Sequence, residues 1–230
     1  EPWLATGHLQ DITSLTPVFY KKNLVAFVAI TTHVSDIGGK LRSPEVREIY
    51  EEGLQLPPCK YVSGGRVNPE ILRIIRANVR VSGVVEGDLM SHMVAGKLAA
   101  RRLQEMLDEY KLRDIDALAS TIFQRSENAM REAIKKVDDG EYRFQVSTDG
   151  YDEPLVIRVE VRVRGSSILV DFTGSSPQVD RGLNAVLNYV FAQSAYTLKS
   201  MLCPHVPNNE GNFRPITVSA PDGSILNPRY

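Results

Sequence analysis

From about Gly87 to Val137 the apolar residues of this chain recur at helical spacing, and on either side the period drops to two. That switch restricts the folds open to it more than any other feature. Leu89, Met93, Leu98 and Arg102 describe one stripe between Gly87 and Lys111, with Val94 beside it and Leu103 and Leu107 continuing it. Asp114 to Val137 supplies a second long helix, whose expected buried face is Ile115, Leu118, Ile122, Ala129, Ala133 and Val137. Asp139-Gly140 ends it. Ahead of this stretch, "TSLTPVFY" and "LVAFVAITTHV" read as two strands joined at Lys21-Lys22-Asn23. The run from Leu24 to Ile30 is almost wholly apolar, as expected of a strand covered on both faces. Behind it, Ile157, Val159, Val161 and Val163 alternate with Arg158, Glu160, Arg162 and Arg164, a half-buried strand that "SILVDF" turns into a hairpin. Asn184 to Leu202 reads as a third long helix and "PITVSAP" as a final strand. Mixed strands at both ends and long central helices predict an α+β fold rather than repeated βαβ units.

Shorter signals fill the gaps. Gly38-Gly39 marks a tight turn or a close backbone approach. Ser43-Pro44 opens a short helix that Gly53 ends, Pro57-Pro58 forces an extended link, and Asn68-Pro69 starts a helix running to about Val79. A formal net charge of −1 leaves no electrostatic footprint for nucleic acid or an anionic membrane. Cys59 and Cys203 are too few for a disulfide framework, which makes the reducing cytoplasm the default compartment. A start at Glu1-Pro2-Trp3 and a stop at "SILNPRY" are what an internal piece of a longer polypeptide would show.

Few residues carry chemistry. His8 and Asp11 stand three apart on a turn, and His33 follows 33 − 8 = 25 residues after His8, at the far end of the apolar strand. If that strand returns as a hairpin, two imidazoles and one carboxylate converge. Such a set suits a divalent transition metal (zinc, manganese or iron) and leaves coordination open for water or substrate. Asp36 is then expected to accept the other N–H of an imidazole and fix its tautomer. Spacing alone equally allows plain polar residues capping a turn beside a strand. Elsewhere the structural reading leads. His92 is expected on a helix surface or at a satisfied interface, and His205 on the surface. Asn78, Arg80, Asp88 and Asp171 are expected to make ion pairs or hydrogen bonds, and Asn208-Asn209 with Gly211 a turn. Cys59 has no visible base, no G-x-S-x-G elbow is present, and "IGGK" is too short for a phosphate-cradling loop.

A resemblance tips the balance. The segments "EPWLATGHLQDITSLTPVF", "HVSDIGG", "EIYEEGLQLPP", "ANVR", "GDL", "VDFTGSSPQV", "GLNA" and "VPNNEGNFRPITVSAPDGSILNP" together resemble the hydantoinase B/oxoprolinase family along the whole chain. The resemblance implies that residues 1–230 are one domain of that type lacking both ends. It implies metal ligands at His8, Asp11 and His33, joined by a glutamate that would lie before Glu1. It also implies a partner, a hydantoinase A-type subunit or domain with an actin-like ATPase fold, that binds ATP and phosphorylates a carbonyl oxygen of the substrate. The present polypeptide would then complete hydrolytic opening of a hydantoin- or 5-oxoproline-type ring. Two alternatives stay open: a subunit of an ATP-dependent ketone carboxylase, and a non-catalytic scaffold whose amphipathic helices seat the partner.

Overall fold

Lys21 and Lys22 both take left-handed backbone conformations, with φ of 47° and 72°, as a two-residue hairpin turn requires. They join β1 (Asp11–Tyr20) to β2 (Asn23–His33) as an antiparallel pair with a bulge at Val18/Phe19, so that Asp11 lies opposite His33 at the open end. The computed structural model describes residues 2–40 and 43–230, which leaves Glu1 of the opening motif outside the described residues. It divides into two compact units, the first reaching to Asp116 and the second spanning Ala117–Tyr230.

In the first unit the hairpin is followed by α1 (Ile49–Glu52) and a minimal hairpin of β3 (Val62–Ser63) and β4 (Arg66–Val67). Next come α2 (Pro69–Asn78) and α3 (Ser82–Glu109). The α1 helix starts later than Ser43-Pro44 suggested, because the Ser43 hydroxyl accepts from the Glu45 N–H in a local turn instead. At the start of α2 the Asn68 side chain accepts from the Glu70 N–H and Pro69 takes the first helical position. Leu9, Val34, Ile37, Ile75, Val79, Val85 and Leu89 form the core of this unit.

Two expectations fail here. The buried seam of α3 is Val85, Leu89, His92, Gly96 and Leu107, while Val94 and Leu98 lie exposed. Apolarity alone passed over His92 and Gly96, yet both face the hairpin. Gly96 permits a close approach, since a Cβ there would lie 2.4 Å from the Thr16 hydroxyl oxygen. Nor is the run from Leu24 to Ile30 covered twice. Its inner face packs on α3, but Leu15, Phe19, Leu24 and Phe27 are each about half exposed or more. One helix can cover only one face of a two-stranded sheet.

The second unit opens with α4 (Asp116–Ile134), which begins at the boundary residue, and continues as β5 (Gly140–Thr148), β6 (Leu155–Arg164) and β7 (Ser167–Asp171). It closes with α5 (Leu187–Leu202), a short α6 (Glu210–Phe213) and β8 (Ile216–Ser219). The sheet runs β5-β6-β7-β8, antiparallel except for the parallel β7–β8 pair. Met130 and Ile134 of α4 and Ala195 of α5 share one core with Val163, Ile168, Val170 and Ile216. The seam of α4 is therefore Ser126, Met130 and Ile134; Leu118 and Ile122, expected inside, are 44% exposed. The strand β5 escapes the sequence reading because all nine of its residues are exposed, although Tyr142, Phe144 and Val146 do alternate. The α5 helix starts three residues after Asn184, whose side chain is occupied in pinning the Val179–Arg181 backbone. The fold is α+β, and no helix among the described residues is long and apolar enough to cross a membrane.

Truncation tests the corrected seam of α4. In the full-length protein, Met130→Ala should cost about 2–5 kcal/mol in urea unfolding, whereas Leu118→Ala should cost less than about 1 kcal/mol.

Candidate metal centre

The turn before β1 delivers His8. Its carbonyl accepts from the Thr6 hydroxyl and from the Asp11 N–H, and the Val34 N–H closes on the Gln10 carbonyl to tie the turn to the end of β2. Asp11 and His33 then form the last rung of the β1–β2 ladder. His33 Nδ1 lies 3.0 Å from Asp11 Oδ1, and His8 Nε2 lies 3.5 Å from Asp11 Oδ2. The two imidazoles meet edge to face, with ring centroids 5.0 Å apart at 87°. One ligand atom from each of the three side chains falls within 4.8 Å of the others.

An ion with bonds of about 2.0–2.2 Å to nitrogen and oxygen gathers its donors to roughly 3–4 Å apart, so small rotations of these side chains suffice to close on one. The donor set fits a divalent transition metal better than calcium or magnesium, which prefer all-oxygen shells. The hairpin return anticipated between His8 and His33 is thus what the ladder makes. All three side chains are only partly exposed, at 34%, 22% and 38% for His8, Asp11 and His33, which leaves the cluster open on one side.

Asp36 does not join them. Its Oδ1 accepts from the Gly38 N–H and the Arg80 guanidinium, and its Oδ2 from the Arg80 N–H, so the expected imidazole partner is replaced by Arg80. The cause is local. Gly38 and Gly39 adopt φ of 81° and 49°, and a Cβ on either would lie 2.5 Å from the backbone of Asn78 or of the α1 end. This folds the loop onto the end of α2 and the link that leads into α3. Hydrogen bonds from the Lys40 N–H to the Glu51 carbonyl and from the Leu54 N–H to the Ile37 carbonyl sew it down, and the Arg80 guanidinium also donates to the Gly39 carbonyl. Burial alone would raise the carboxyl pKa of Asp36, but the N–H groups of Arg80 and Gly38, with the Arg80 charge, outweigh it and hold it below the usual carboxylate range.

His92 and three threonines complete the surroundings. His92, buried on α3, lies 2.7 Å from the Thr32 hydroxyl, one residue before His33; burial, opposed by Asp88, pushes its pKa down. On the opposite, exposed face, Thr13 and Thr31 make the rung next to Asp11 and His33, with hydroxyl oxygens 2.8 Å apart. Sequence reading missed this rung. Counting two residues inward from Asp11 and from His33 would have found it. Of the other residues singled out, Asn209 caps α6, Asp171 accepts from Thr173 and pairs with Arg162, and His205 and Cys59 are exposed.

The family model described as hydantoinase B/oxoprolinase matches residues 1–230. The chain is 36% identical to the B-type component of a putative D-/L-hydantoinase of Pseudomonas sp. (strain NS671), covering 100% of this chain and 42% of that protein. It superimposes on the crystal structure of the ATP-dependent caprolactamase from Pseudomonas jessenii with a TM-score of 0.90 at 29% identity, over 100% of this chain and 41% of that one. A nucleotide-free acetone carboxylase shares the fold, with a TM-score of 0.82 at 20% identity over 96% of this chain and 32% of that one. The chain spans about two fifths of the length of the hydantoinase and caprolactamase polypeptides it matches.

The clamp on Asp36 has a pH signature. Because its folded pKa is depressed, its contribution is present above the unfolded value of about 3.9 and is lost as pH falls through the folded one. Asp36→Ala, which strands two backbone donors, should cost about 2–4 kcal/mol at neutral pH. In urea unfolding of the full-length protein the gap to wild type should stay constant above about pH 5 and narrow below about pH 4.

Proposed function

The chain belongs to the hydantoinase B/oxoprolinase family, and we propose that it carries the metal-holding site of an ATP-dependent cyclic amidohydrolase that opens a hydantoin- or 5-oxoproline-type ring. The observation that supports this reading is the convergence of His8, Asp11 and His33 on one partly exposed rung. His8 and His33 offer ring nitrogens and Asp11 a carboxylate oxygen; zinc, manganese or iron suits that set. When bound there, such an ion would lower the pKa of a water towards ~7, supplying a nucleophile at neutral pH.

The protein's own residues do the rest. The hairpin holds His33 and Asp11 in register, and the Thr32–His92 bond anchors the end of β2 on α3. Asp36 acts at one remove, holding the backbone that follows β2 against Arg80. A cyclic amide carbonyl is a poor electrophile until its oxygen becomes a leaving group, and phosphorylation achieves that. No G-x-x-x-x-G-K-[ST] loop occurs in the chain, so we assign ATP to a hydantoinase A-type partner subunit or domain in the cytoplasm. Two relatives, the putative hydantoinase and the caprolactamase, are each named as one component of a larger enzyme, which supports a partner of some kind.

Elemental analysis and turnover of the full-length protein with its ATPase partner test this reading. Wild type should hold stoichiometric zinc, manganese or iron, and its ATP turnover should rise with hydantoin or 5-oxoproline. His33→Ala should lose the metal and ring opening while its unfolding free energy, compared with metal-free wild type, stays within about 1 kcal/mol. Turnover that instead needs a ketone and bicarbonate would select a carboxylase. A metal-free wild type would favour the scaffold role, and full activity in His33→Ala would remove the metal reading.

A further inference from the structure

One rung inward from Asp11 and His33, on the same face of the hairpin, Thr13 and Thr31 turn their hydroxyls to each other at 2.8 Å, and both residues are exposed. Two hydroxyls carry two protons. Their mutual bond uses one, so the pair keeps one proton to donate and lone pairs to accept. A cyclic amide holds its N–H and C=O cis, along one edge, and needs an acceptor and a donor side by side.

Resting on the metal-centre reading above, we propose that the Thr13–Thr31 pair binds the amide edge of the ring substrate and holds its carbonyl carbon beside the His8–Asp11–His33 cluster. Two residues along an antiparallel strand span about 6.8 Å. A hydrogen bond of about 2.9 Å to the ring nitrogen or oxygen places the adjoining carbon roughly midway, within the ~3 Å that a reacting group must cover. Because hydroxyls rotate, the pair can accept from an N–H or donate to a bare nitrogen, and so it follows the ring nitrogen once the carbonyl oxygen is phosphorylated. The next rung, Leu15 opposite Ala29, offers ring methylenes an apolar surface, with Leu15 64% exposed. A ketone carries no nitrogen and forfeits one of the two hydrogen bonds. The rung therefore favours cyclic amides over ketones on chemical grounds.

Cross-strand threonine pairs also stabilise sheets, so the test must separate binding from folding. The full-length protein with its ATPase partner is dialysed to equilibrium, without ATP, against labelled hydantoin, 5-oxoproline and ε-caprolactam. Metal content and urea midpoint are measured on the same samples. Thr13→Val and Thr31→Val, which keep the shape and remove the hydroxyl, should each weaken binding of the preferred ring about tenfold with metal content unchanged. Thr31→Ser should stay within about threefold of wild type. Valine variants that bind the ring as wild type does, or that weaken only as the urea midpoint or metal content falls, overturn the proposal. So does a wild type that binds none of the three rings. A metal-free wild type whose ring binding still drops in the valine variants sinks the metal reading and keeps the threonine pair.

Discussion

The Asp11–His33 rung is the constraint from which the rest of the candidate site follows. An antiparallel ladder fixes which side chains share a face, and a slip of one residue would turn every one of them over. With Asp11 opposite His33, the outer face reads carboxylate and imidazole, then two hydroxyls, then Leu15, Pro17 and Phe27 with Ala29. The inner face sets Ser14, Thr16 and Thr32 against α3. The proposed metal site and the proposed ring contact thus share one register, and neither would survive its loss.

That register is held from two sides. At the turn end Lys21 and Lys22 close the hairpin in left-handed conformations, and the Tyr20 hydroxyl donates to Asp108 at the far end of α3. At the open end His92 bonds Thr32, and the Val34 N–H bonds the Gln10 carbonyl. The long α3 helix therefore works as a splint along the hairpin, and Gly96 sets how closely it lies. Beyond the hairpin, the Asp36–Arg80 clamp stops the chain from peeling away after His33. A buried carboxylate satisfied by two backbone donors and a guanidinium is a costly group to disturb, since removing any partner leaves the others desolvated.

The second unit obeys ordinary packing logic. Its helices bury one seam each against a four-stranded sheet, and its charged residues form surface networks such as Glu127 with Arg131 and Arg214. The uncovered β5 strand and the uncovered outer face of the first hairpin are both apolar in part.

The sequence by itself determined the alternation of strands and helices, the class of fold and the hairpin turn at Lys21-Lys22, and it offered His8, Asp11 and His33 as candidate ligands without deciding between a metal and a plain polar turn. Those rest on local physics: side-chain period, turn conformation and donor chemistry act within a few residues. Tertiary structure decided the partner of Asp36, because the buried carboxylate takes whichever donors the glycine turn folds beside it, and those belong to Arg80, 44 residues away. It also decided the α3 seam, where His92 and Gly96 are buried for their neighbours rather than their hydrophobicity, and the strand β5, which exists through hydrogen bonding to β6 with almost no burial of its own. Periodicity sees what a segment wants to bury. It cannot see what lies opposite.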